Sequence, residues 1–437
     1  MRNRISLIAN KHKDTHFVWE LKTRTMIKKA PCILLLFYTF CSCIMAENFT
    51  PYKIKLQGIG GYIHPHDENV EVLVHGPALG GEIALELGTD GSESWHIHHN
   101  FPDIGIAAQY LTLSNPEILG EMISLYPYIN FPMVVTDWFS FYLKLGGGVA
   151  LATKPTDIEG AIEANRPIRG ANGLNKDFNF VIGSTANVIL AGGATMEVRL
   201  SRNLRFTSDL IFNHYSNGNT VQPNMGLNLA NVYAGFKYIP SYDGYVARGL
   251  ARVPSTHDRF SGEVIFSGGS RQRYYKDTKS FPIASLNLGG YYHTCHQHRI
   301  GIGLDGFYNG IFTNDPALSN SFRRTNITTD ELKNKLRLGI NLANDVIVGR
   351  FTAGLQFGVY LYDPIKDLEP YIDPGDTDQT RKEKGLIYAY DIEKEDGWLY
   401  TRLSAKYRII DHIIANISIK THLYKAEFIE FGLGYAF

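Results

Sequence analysis

The stretch Leu204-Arg-Phe-Thr-Ser-Asp-Leu-Ile-Phe-Asn-His-Tyr-Ser-Asn-Gly218 decides the fold class. From Leu204 to His214 the even positions are mostly apolar and the odd positions mostly polar, which is the two-residue period of a strand with one apolar face. His214 and Ser216 continue the apolar face, so the pattern predicts that both side chains point outward, roughly 6 to 7 Å apart along the strand. A general base beside a hydroxyl is the minimum for ester cleavage. The stretch therefore predicts a strand that ends in a candidate hydrolytic pair.

The same alternation recurs along the chain in segments of about ten residues, separated by turns or polar loops. After the N-terminal leader, no segment has the roughly 18 to 20 consecutive apolar residues of a membrane-spanning helix. Predicted strands lie near residues 52–64, 80–87, 105–113, 121–133, 138–152, 180–200, 204–214, 228–238, 260–272, 281–293, 298–308, 335–342, 351–362, 399–409, 413–422 and 427–437. We therefore expect an all-β protein, a transmembrane antiparallel up-and-down β-barrel.

The sheet must close, because every backbone polar group needs a partner within lipid and an open edge has none. The pattern is compatible with one barrel of about 14 to 16 strands or with two tandem eight-stranded barrels. We expect the single barrel, because two adjacent barrels need two separate lipid-facing perimeters joined by the connector Pro240–Asp258. The apolar face that ends in Phe437 resembles the terminal strand of outer-membrane barrels and implies the barrel-assembly machinery as a partner.

The composition limits the partners and the compartment. Lys plus Arg and Asp plus Glu balance at 43 each, so no overall charge favours nucleic acid. Residues 26–46 have a basic start, a short apolar middle and small residues up to Ala46, which predicts a cleaved signal peptide after a non-native extension at 1–25. Cys43 as a lipid-modified first residue is the alternative. With cleavage after Ala46 the mature chain keeps Cys295 alone and forms no intrachain disulfide.

His214-Tyr-Ser-Asn-Gly218 is followed by Pro223-Asn-Met-Gly226, and this longer string resembles the active-site signature of the outer-membrane lipid A 3-O-deacylases (PagL-type), which include acyloxyacyl hydrolases. The resemblance covers about residues 50–240. It implies an outer-membrane location in a Gram-negative bacterium, with Ser216 as nucleophile and His214 as general base. The oxyanion donors are expected from Asn217, Gly218 and Asn224.

Asn228 stands where the family has an acidic residue that orients the His. An amide can hold the imidazole by a hydrogen bond, but it cannot neutralise the imidazolium that forms during catalysis. Three outcomes stay open: Asn228 suffices as the orienting residue, another acid reaches His214, or the site is inactive. Asp209 is excluded as that acid by its parity, which points it inward.

The second half of the chain resembles a decayed copy of the first, so we expect an eight-strand unit at 47–240 and another at 241–437. The segment Leu143–Ala150 is echoed by Thr352–Val359, each followed by a long polar loop. Aligning the two halves by face sets His422 opposite Asn213 rather than His214. We therefore expect the second half to lack the base–nucleophile pair and to be structural.

Several His-rich stretches could each offer two imidazoles to a metal. None has a full ligand set with a carboxylate at suitable spacing, so strand ends and loops are the expected place for these side chains, and no metal or cofactor is expected. The glycine runs 58–61 and 146–148 lack the context of a phosphate loop and predict close backbone packing. The His-rich stretches contain His64 and His66; His96, His98 and His99; and His293, Cys295, His296 and His298.

These observations lead to two functional hypotheses. The first is an outer-membrane esterase that removes an acyl chain from lipid A, with lipopolysaccharide and membrane lipid as its partners. Phospholipids carry esters at the same depth, and the preference for the 3-position of lipid A comes from the family resemblance alone. The second is a non-catalytic barrel, a pore or a scaffold, that keeps a relic of the site.

Overall fold

The computed structural model describes residues 52–168, 174–240, 258–273, 275, 279–313, 330–364, 397–422 and 425–437. The predicted extension 1–25, the predicted signal peptide 26–46 and Cys43 lie outside these residues, as does most of the predicted connector after Pro240. The strands and the candidate site lie within them.

The described residues contain sixteen antiparallel strands in two sets. The first set is β1 Tyr52–Ile63, β2 Ala78–Gly88, β3 Asp103–Thr112, β4 Glu121–Val135, β5 Phe139–Ala152, β6 Ala186–Arg199, β7 Leu204–Ser216 and β8 Leu227–Tyr238. The second set is β9 Phe260–Gln272, β10 Ser280–Cys295, β11 His298–Asn309, β12 Leu336–Val348, β13 Phe351–Tyr362, β14 Leu399–Ile410, β15 Ile413–His422 and β16 Lys425–Ala436. Four short helices lie between strands: α1 Glu68–Glu71, α2 Ser94–His98, α3 Ile158–Glu163 and α4 Leu332–Lys335.

The strands close into two barrels of eight, so the expected single barrel is wrong and the tandem alternative is confirmed. β1 pairs with β8 through Ile54 and Tyr238, and β16 pairs with β9 through Phe431 and Gly268. Each half therefore pairs its own first and last strands. The requirement that backbone polar groups be paired within lipid is met by each set of eight strands, because closure leaves neither set with an open edge.

Buried ion pairs fill the first barrel. Lys55 Nζ lies 3.0 Å from Asp209 Oδ2, and Lys144 Nζ lies 3.1 Å from Glu82 Oε1. An eight-stranded barrel has an interior just wide enough for side chains to fill, and charges buried there need partners. Asp209 thus points inward, as its parity predicts. Gly146 accommodates Tyr128, since a Cβ there would lie 2.8 Å from the tyrosine Cβ.

The second barrel has a similar interior. Arg299 pairs with Asp345 at 2.7 Å, and Arg402 pairs with Asp305 at 2.8 Å. His422 is buried inside this barrel and its Nε2 lies 2.9 Å from Glu427 Oε2. Both interiors are therefore packed with paired charges.

The outer walls carry the apolar residues of the alternating pattern. Leu56, Leu210 and Phe266 are about two-thirds exposed, at 64%, 60% and 64%. Such a wall suits the hydrocarbon region of a bilayer. Among the described residues, no helix is both long enough and apolar enough to cross a membrane.

The two ends of the barrels differ in the lengths of their connections. The short-turn end contains the turns at 136–138, 200–203, 296–297, 349–350 and 411–412, together with the longer connection at 89–102. The long-loop end contains those at 64–77, 153–185, 217–226, 310–335 and 363–398. Ser216 and the beginning of β8 lie at the long-loop end, which is where the candidate site is built.

Candidate active site

The base of the candidate site is held between two paired strands. His214 in β7 is directly opposite Asn228 in β8. The Nδ1 of His214 lies 2.7 Å from Oδ1 of Asn228, so the ring donates from Nδ1 to the amide oxygen. Among the described residues, no carboxylate forms a hydrogen bond with this ring. Asn228 thus lies beside His214, at the position predicted for the residue that orients the ring.

Ser216 ends β7 and is 3% exposed. The backbone N–H of Gly218 donates to Ser216 Oγ at 3.1 Å, and the Nδ2 of Asn224 donates to the same oxygen at 3.0 Å. Two donors therefore converge on the hydroxyl oxygen, next to the position where the carbonyl oxygen of an attacked ester would lie. Gly218 has φ of +59°, and a Cβ there would lie 2.8 Å from Ile429, so a glycine fits this turn on both counts.

Asn217 has a supporting role in the geometry. Its backbone N–H donates to Oδ1 of Asn224 at 3.1 Å, and its side-chain Nδ2 donates to Ser184 Oγ at 2.9 Å. The first bond fixes the Asn224 amide, whose Nδ2 and Oδ1 both lie within hydrogen-bond distance of Ser216 Oγ, and the second fixes the Asn217 side chain. Three residues were predicted to supply oxyanion donors. Gly218 and Asn224 donate to the Ser216 hydroxyl, whereas the Asn217 side chain stabilises the loop.

Within the described residues, Ser216 Oγ makes its hydrogen bonds with Gly218 and Asn224 and makes none with His214. Gly226 lies beside the imidazole, because a Cβ on it would be 3.1 Å from Cε1 and 3.8 Å from Nε2 of His214. Catalytic hydrogen bonds are often long without substrate and shorten when it binds.

The active-site loop, residues 217–226, is fastened on its inner side by the segment before β6. Met225 N donates to Val181 O at 2.8 Å, and Gly183 N donates to Pro223 O at 2.7 Å. The sequence predicted strand from residue 180, but β6 begins at Ala186. Residues 180–185 instead hold the active-site loop, and Ile182 makes an isolated bridge to Asn224.

The second barrel also fastens the active-site loop. Gln272 at the end of β9 donates its backbone N–H to Asn219 O at 3.0 Å, and its Oε1 accepts from Gln222 N at 2.7 Å. The Asn219 side chain donates to Ala426 O in β16. The sequence offered no signal for these contacts, because they join residues from different halves of the chain.

His66 is a further residue at the site. Its Nδ1 lies 3.2 Å from Nδ2 of Asn228, and its Nε2 lies 2.9 Å from Met225 O. The sequence marked it as part of His64-Pro-His66 and as a candidate metal ligand. The structure places it next to the orienting amide instead.

The other His-rich stretches lie at the short-turn end. The rings of His98 and His296 stack with centroids 4.7 Å apart, and His99 Nε2 lies 2.8 Å from Ile347 O. In the part of the chain that the structure describes, no group of three or more His, Cys, Asp or Glu residues is arranged to hold a metal ion. His98 and His99 come from the first half of the chain, and His296 and Ile347 come from the second, so these imidazoles lie at a contact between the two barrels.

Comparison with known families covers both barrels. A family described as lipid A 3-O-deacylase (PagL) matches residues 80–237, and one described as the C-terminal domain of acyloxyacyl hydrolase matches residues 260–373 and 386–437. The chain belongs to the PagL-type family. Its PagL-type identity places the protein in the outer membrane of a Gram-negative bacterium. Among curated proteins, no match is found.

Solved structures of outer-membrane barrels are similar to parts of this PagL-type chain. The outer membrane enzyme PagL is 19% identical, with 43% of this chain and 99% of that chain covered and a TM-score of 0.27. Neisserial surface protein A is 9% identical, with 44% and 99% covered and a TM-score of 0.28. The NanC porin is 7% identical, with 87% and 98% covered and a TM-score of 0.14.

Proposed function

We propose that this protein is an outer-membrane esterase that removes an ester-linked acyl chain from lipid A, at the 3-position. The observation that carries the proposal is the convergence of two N–H donors, from Gly218 and Asn224, on the hydroxyl of Ser216. This hydroxyl follows His214 on the same strand face, and the ring donates from Nδ1 to Asn228. The family assignment supplies lipid A and its 3-position as the substrate.

The first half of the proposed reaction forms an acyl-enzyme. His214 Nε2 takes the proton of Ser216 Oγ as this oxygen attacks the ester carbonyl. The resulting oxyanion forms on the former carbonyl oxygen beside Ser216 Oγ, and in the proposed mechanism Gly218 N–H and Asn224 Nδ2 shift their hydrogen bonds from Oγ to this oxygen. The carbon–oxygen bond to the sugar then breaks, and the sugar oxygen takes the proton from His214.

The second half releases the fatty acid. His214 takes a proton from water, and the hydroxide oxygen attacks the acyl carbon bound to Ser216. The same two donors stabilise the second oxyanion. When the bond to Ser216 Oγ breaks, that oxygen recovers the proton from His214, and the fatty acid leaves. No cofactor or metal enters either half.

The outer wall beside the site suits an acyl chain. Val188 is paired with Ser216 and Leu190 with His214, and both are partly exposed on the outer face of β6. Phe212 continues the same face of β7 and is about half exposed. A bound acyl chain would run down this apolar wall while its ester lies at the strand end, where hydrocarbon meets headgroup. Longer loops of bacterial outer-membrane barrels face the exterior, which supports the outer leaflet as the location of the site.

The competing hypothesis is a non-catalytic barrel that retains a relic of the site. The replacement of the family acid by Asn228 favours it, because an amide leaves the imidazolium without a countercharge. The packed interiors argue against its pore version. We further expect insertion by the barrel-assembly machinery, in keeping with the exposed terminal ring of Phe437.

The test is a comparison of Ser216→Ala with a matched control, Ser208→Ala, which changes another serine on the outer face of β7. Lipid A is extracted from cells that express each variant, and its acyl chains are identified by mass spectrometry. We expect cells with the natural protein or Ser208→Ala to lose one ester-linked chain and cells with Ser216→Ala to keep it. Folding is checked by heat-modifiable migration in detergent gels. Identical lipid A in all three strains would leave the non-catalytic barrel as the function, whereas a loss confined to phospholipid would change the substrate.

A further inference from the structure

A fixed backbone carbonyl sets the protonation of His66. Nε2 of His66 lies 2.9 Å from Met225 O, an acceptor that has no proton to give, so Nε2 must carry the hydrogen. In the neutral ring Nδ1 then has a lone pair. His64 O lies 3.3 Å from that Nδ1, but two acceptors cannot bond to each other. The donor that Nδ1 can use is Asn228 Nδ2, at 3.2 Å.

The orientation of the amide follows from this bond. With Nδ2 of Asn228 directed at His66, its Oδ1 is directed at His214, where it lies 2.7 Å from Nδ1. His214 must therefore hold its hydrogen on Nδ1, which leaves the lone pair on Nε2. That is the tautomer that can accept a proton from Ser216.

We propose that His66 is a positioning residue that fixes the amide of Asn228 and, through it, the tautomer of His214. The proposal rests on the proposed function, because it assigns a role at the same site. His66 does not touch the reacting atoms. It acts through Asn228, at the end of a hydrogen-bonded series from Met225 O to His214.

The replacement of an acid by an amide creates the need for this residue. Both oxygens of a carboxylate accept hydrogen bonds, so a carboxylate selects the Nδ1–H tautomer whichever way it is turned. An amide presents an acceptor on one side and a donor on the other. Turned over, Asn228 would donate to Nδ1 of His214, and the hydrogen of the ring would move to Nε2, where it blocks proton transfer from Ser216. His66 distinguishes the two orientations of the amide.

The first experiment measures whether His66 and Asn228 are coupled. His66→Ala is compared with the natural residue in two backgrounds, one with Asn228 and one with the nearly isosteric Asn228→Asp. Purified full-length protein in detergent acts on lipopolysaccharide, and released fatty acid is quantified by mass spectrometry. We expect His66→Ala to lower kcat about tenfold in the Asn228 background, which corresponds to roughly 1.4 kcal/mol, and by less than about twofold with Asn228→Asp.

His64→Ala is the matched control, since His64 is an exposed imidazole of the same loop whose side chain is not part of the series. We expect it to leave kcat unchanged in both backgrounds. Equal losses from His66→Ala in the two backgrounds would overturn the proposal, because they would show a role that does not pass through the amide. An unchanged kcat with Asn228 present would overturn it as well.

The second experiment does not depend on activity. The protein is labelled with ¹⁵N-histidine, and ring nitrogen shifts report which nitrogen carries the hydrogen; the His214 signals are assigned by their loss in His214→Gln. We expect Nδ1–H for His214 in the natural protein and a mixture of tautomers in His66→Ala. Nε2–H in the natural protein, or no change on substitution, would overturn the inference. If the natural protein is inactive but shows the expected tautomers, the proposed function is wrong, whereas the role of His66 in the hydrogen-bonded series is supported.

Discussion

At the scale of single residues, the Asn224 side chain makes two kinds of hydrogen bond, one through its oxygen and one through its nitrogen. Its Oδ1 accepts from Asn217 N, which fixes the loop, and its Nδ2 donates to Ser216 Oγ. Oδ1 also accepts from Ser216 Oγ at 3.3 Å, and Nδ2 also donates to Asn219 Oδ1 at 3.4 Å, but acceptor and donor contacts stay separate, so a substitution can remove the donor and keep the acceptor. This separation allows the proposed oxyanion site to be tested without disturbing the turn.

We predict that Asn224→Asp lowers kcat by roughly 10² to 10³, the usual cost of losing one oxyanion donor, with little change in KM. The aspartate keeps the oxygen that accepts from Asn217 but brings a negative charge beside the developing oxyanion. Steady-state rates of fatty acid release from lipopolysaccharide provide the measurement. Asn203→Asp, at the short-turn end, is the control. A KM effect with normal kcat would assign Asn224 to binding instead.

The sequence predicted the part of the site that comes from neighbouring strands. His214 and Ser216 share a face by parity, and Asn228 is opposite the ring because β7 and β8 form a hairpin. His66 could not be predicted in its role, because its contact with Asn228 joins residues far apart in sequence and has no periodic signal. Its position two residues after His64 in the sequence made it a candidate metal ligand instead.

At the scale of elements, the active-site loop depends on strands of the other barrel. Gln272 of β9 makes two hydrogen bonds to the loop, one from its backbone and one with its side chain. Asn219, its partner, also accepts from Gln222 at 2.9 Å and from Asn224 at 3.4 Å. The position of the oxyanion donor is thereby linked to the end of β9.

We predict that Gln272→Ala lowers kcat several-fold and accelerates hydrogen exchange at 217–226, because one side-chain bond of about 1 kcal/mol is lost while the backbone bond remains. Gln297→Ala, the same change at the opposite end of the second barrel, is the control. Hydrogen exchange followed by mass spectrometry, together with rates of fatty acid release, checks the outcome. Normal exchange in the loop would show that the second barrel is not needed for its order.

The strands were predictable because alternation is local, whereas the pairing of the last strand with the first is not. A strand such as β8 has the same inward and outward faces whether its next neighbour is β1 or β9. The alternation of polar and apolar residues therefore predicted the strands but could not decide whether they form one barrel or two. The prediction of strand at 180–185 was wrong for a related reason: Phe180 packs near Met225 of the active-site loop, and Val181 and Ile182 join the core of the first barrel, so their apolar side chains are buried without a strand.

At the scale of the whole molecule, charged side chains pair with one another across the interior of both barrels among the residues that the structure describes. Lys55 and Lys144 meet acids across the first interior, and Arg299 and Arg402 do so across the second. Breaking such buried pairs is costly, so the side chains are held in place. The interior thus stabilises the barrels, whereas the proposed chemistry takes place at the outer wall.

We predict that the purified protein shows no steady ion conductance in planar lipid bilayers, in contrast to a porin measured under the same conditions. The reason is that the paired charges occupy the space through which ions would pass. Discrete, long-lived conductance steps would contradict this expectation and favour the pore version of the non-catalytic barrel.

The stacked rings of His98 and His296 make the contact at the short-turn end sensitive to pH. Burial first, and then the charges of His296 and His99, lower the pKa of His98. A folded-state pKa below the ordinary value of about 6.5 means that the folded protein binds fewer protons than the unfolded one. The stability that this contact contributes is therefore complete above that value and is lost as the pH falls through the lowered folded-state pKa.

We predict that the midpoint of thermal unfolding falls as the pH is lowered from about 7.5 to about 5, and that His98→Phe makes this fall shallower. Phenylalanine keeps an aromatic ring against His296 and cannot be protonated. Unfolding in detergent, followed by tryptophan fluorescence, provides the midpoints. Parallel pH profiles for the two proteins would show that His98 does not contribute to the dependence.

The hydrogen bond between Asn219 and Ala426 joins the active-site loop to β16, in the hairpin formed by the last two strands. In the proposed mechanism, the first eight strands alone would form a barrel in which Ser216 lacks part of the support of its loop. The proposed site would then reach its full geometry only when β16 is in place, so deacylation would begin only in molecules with both barrels complete. Lipid remodelling would then be withheld from unfinished copies without any separate inhibitor.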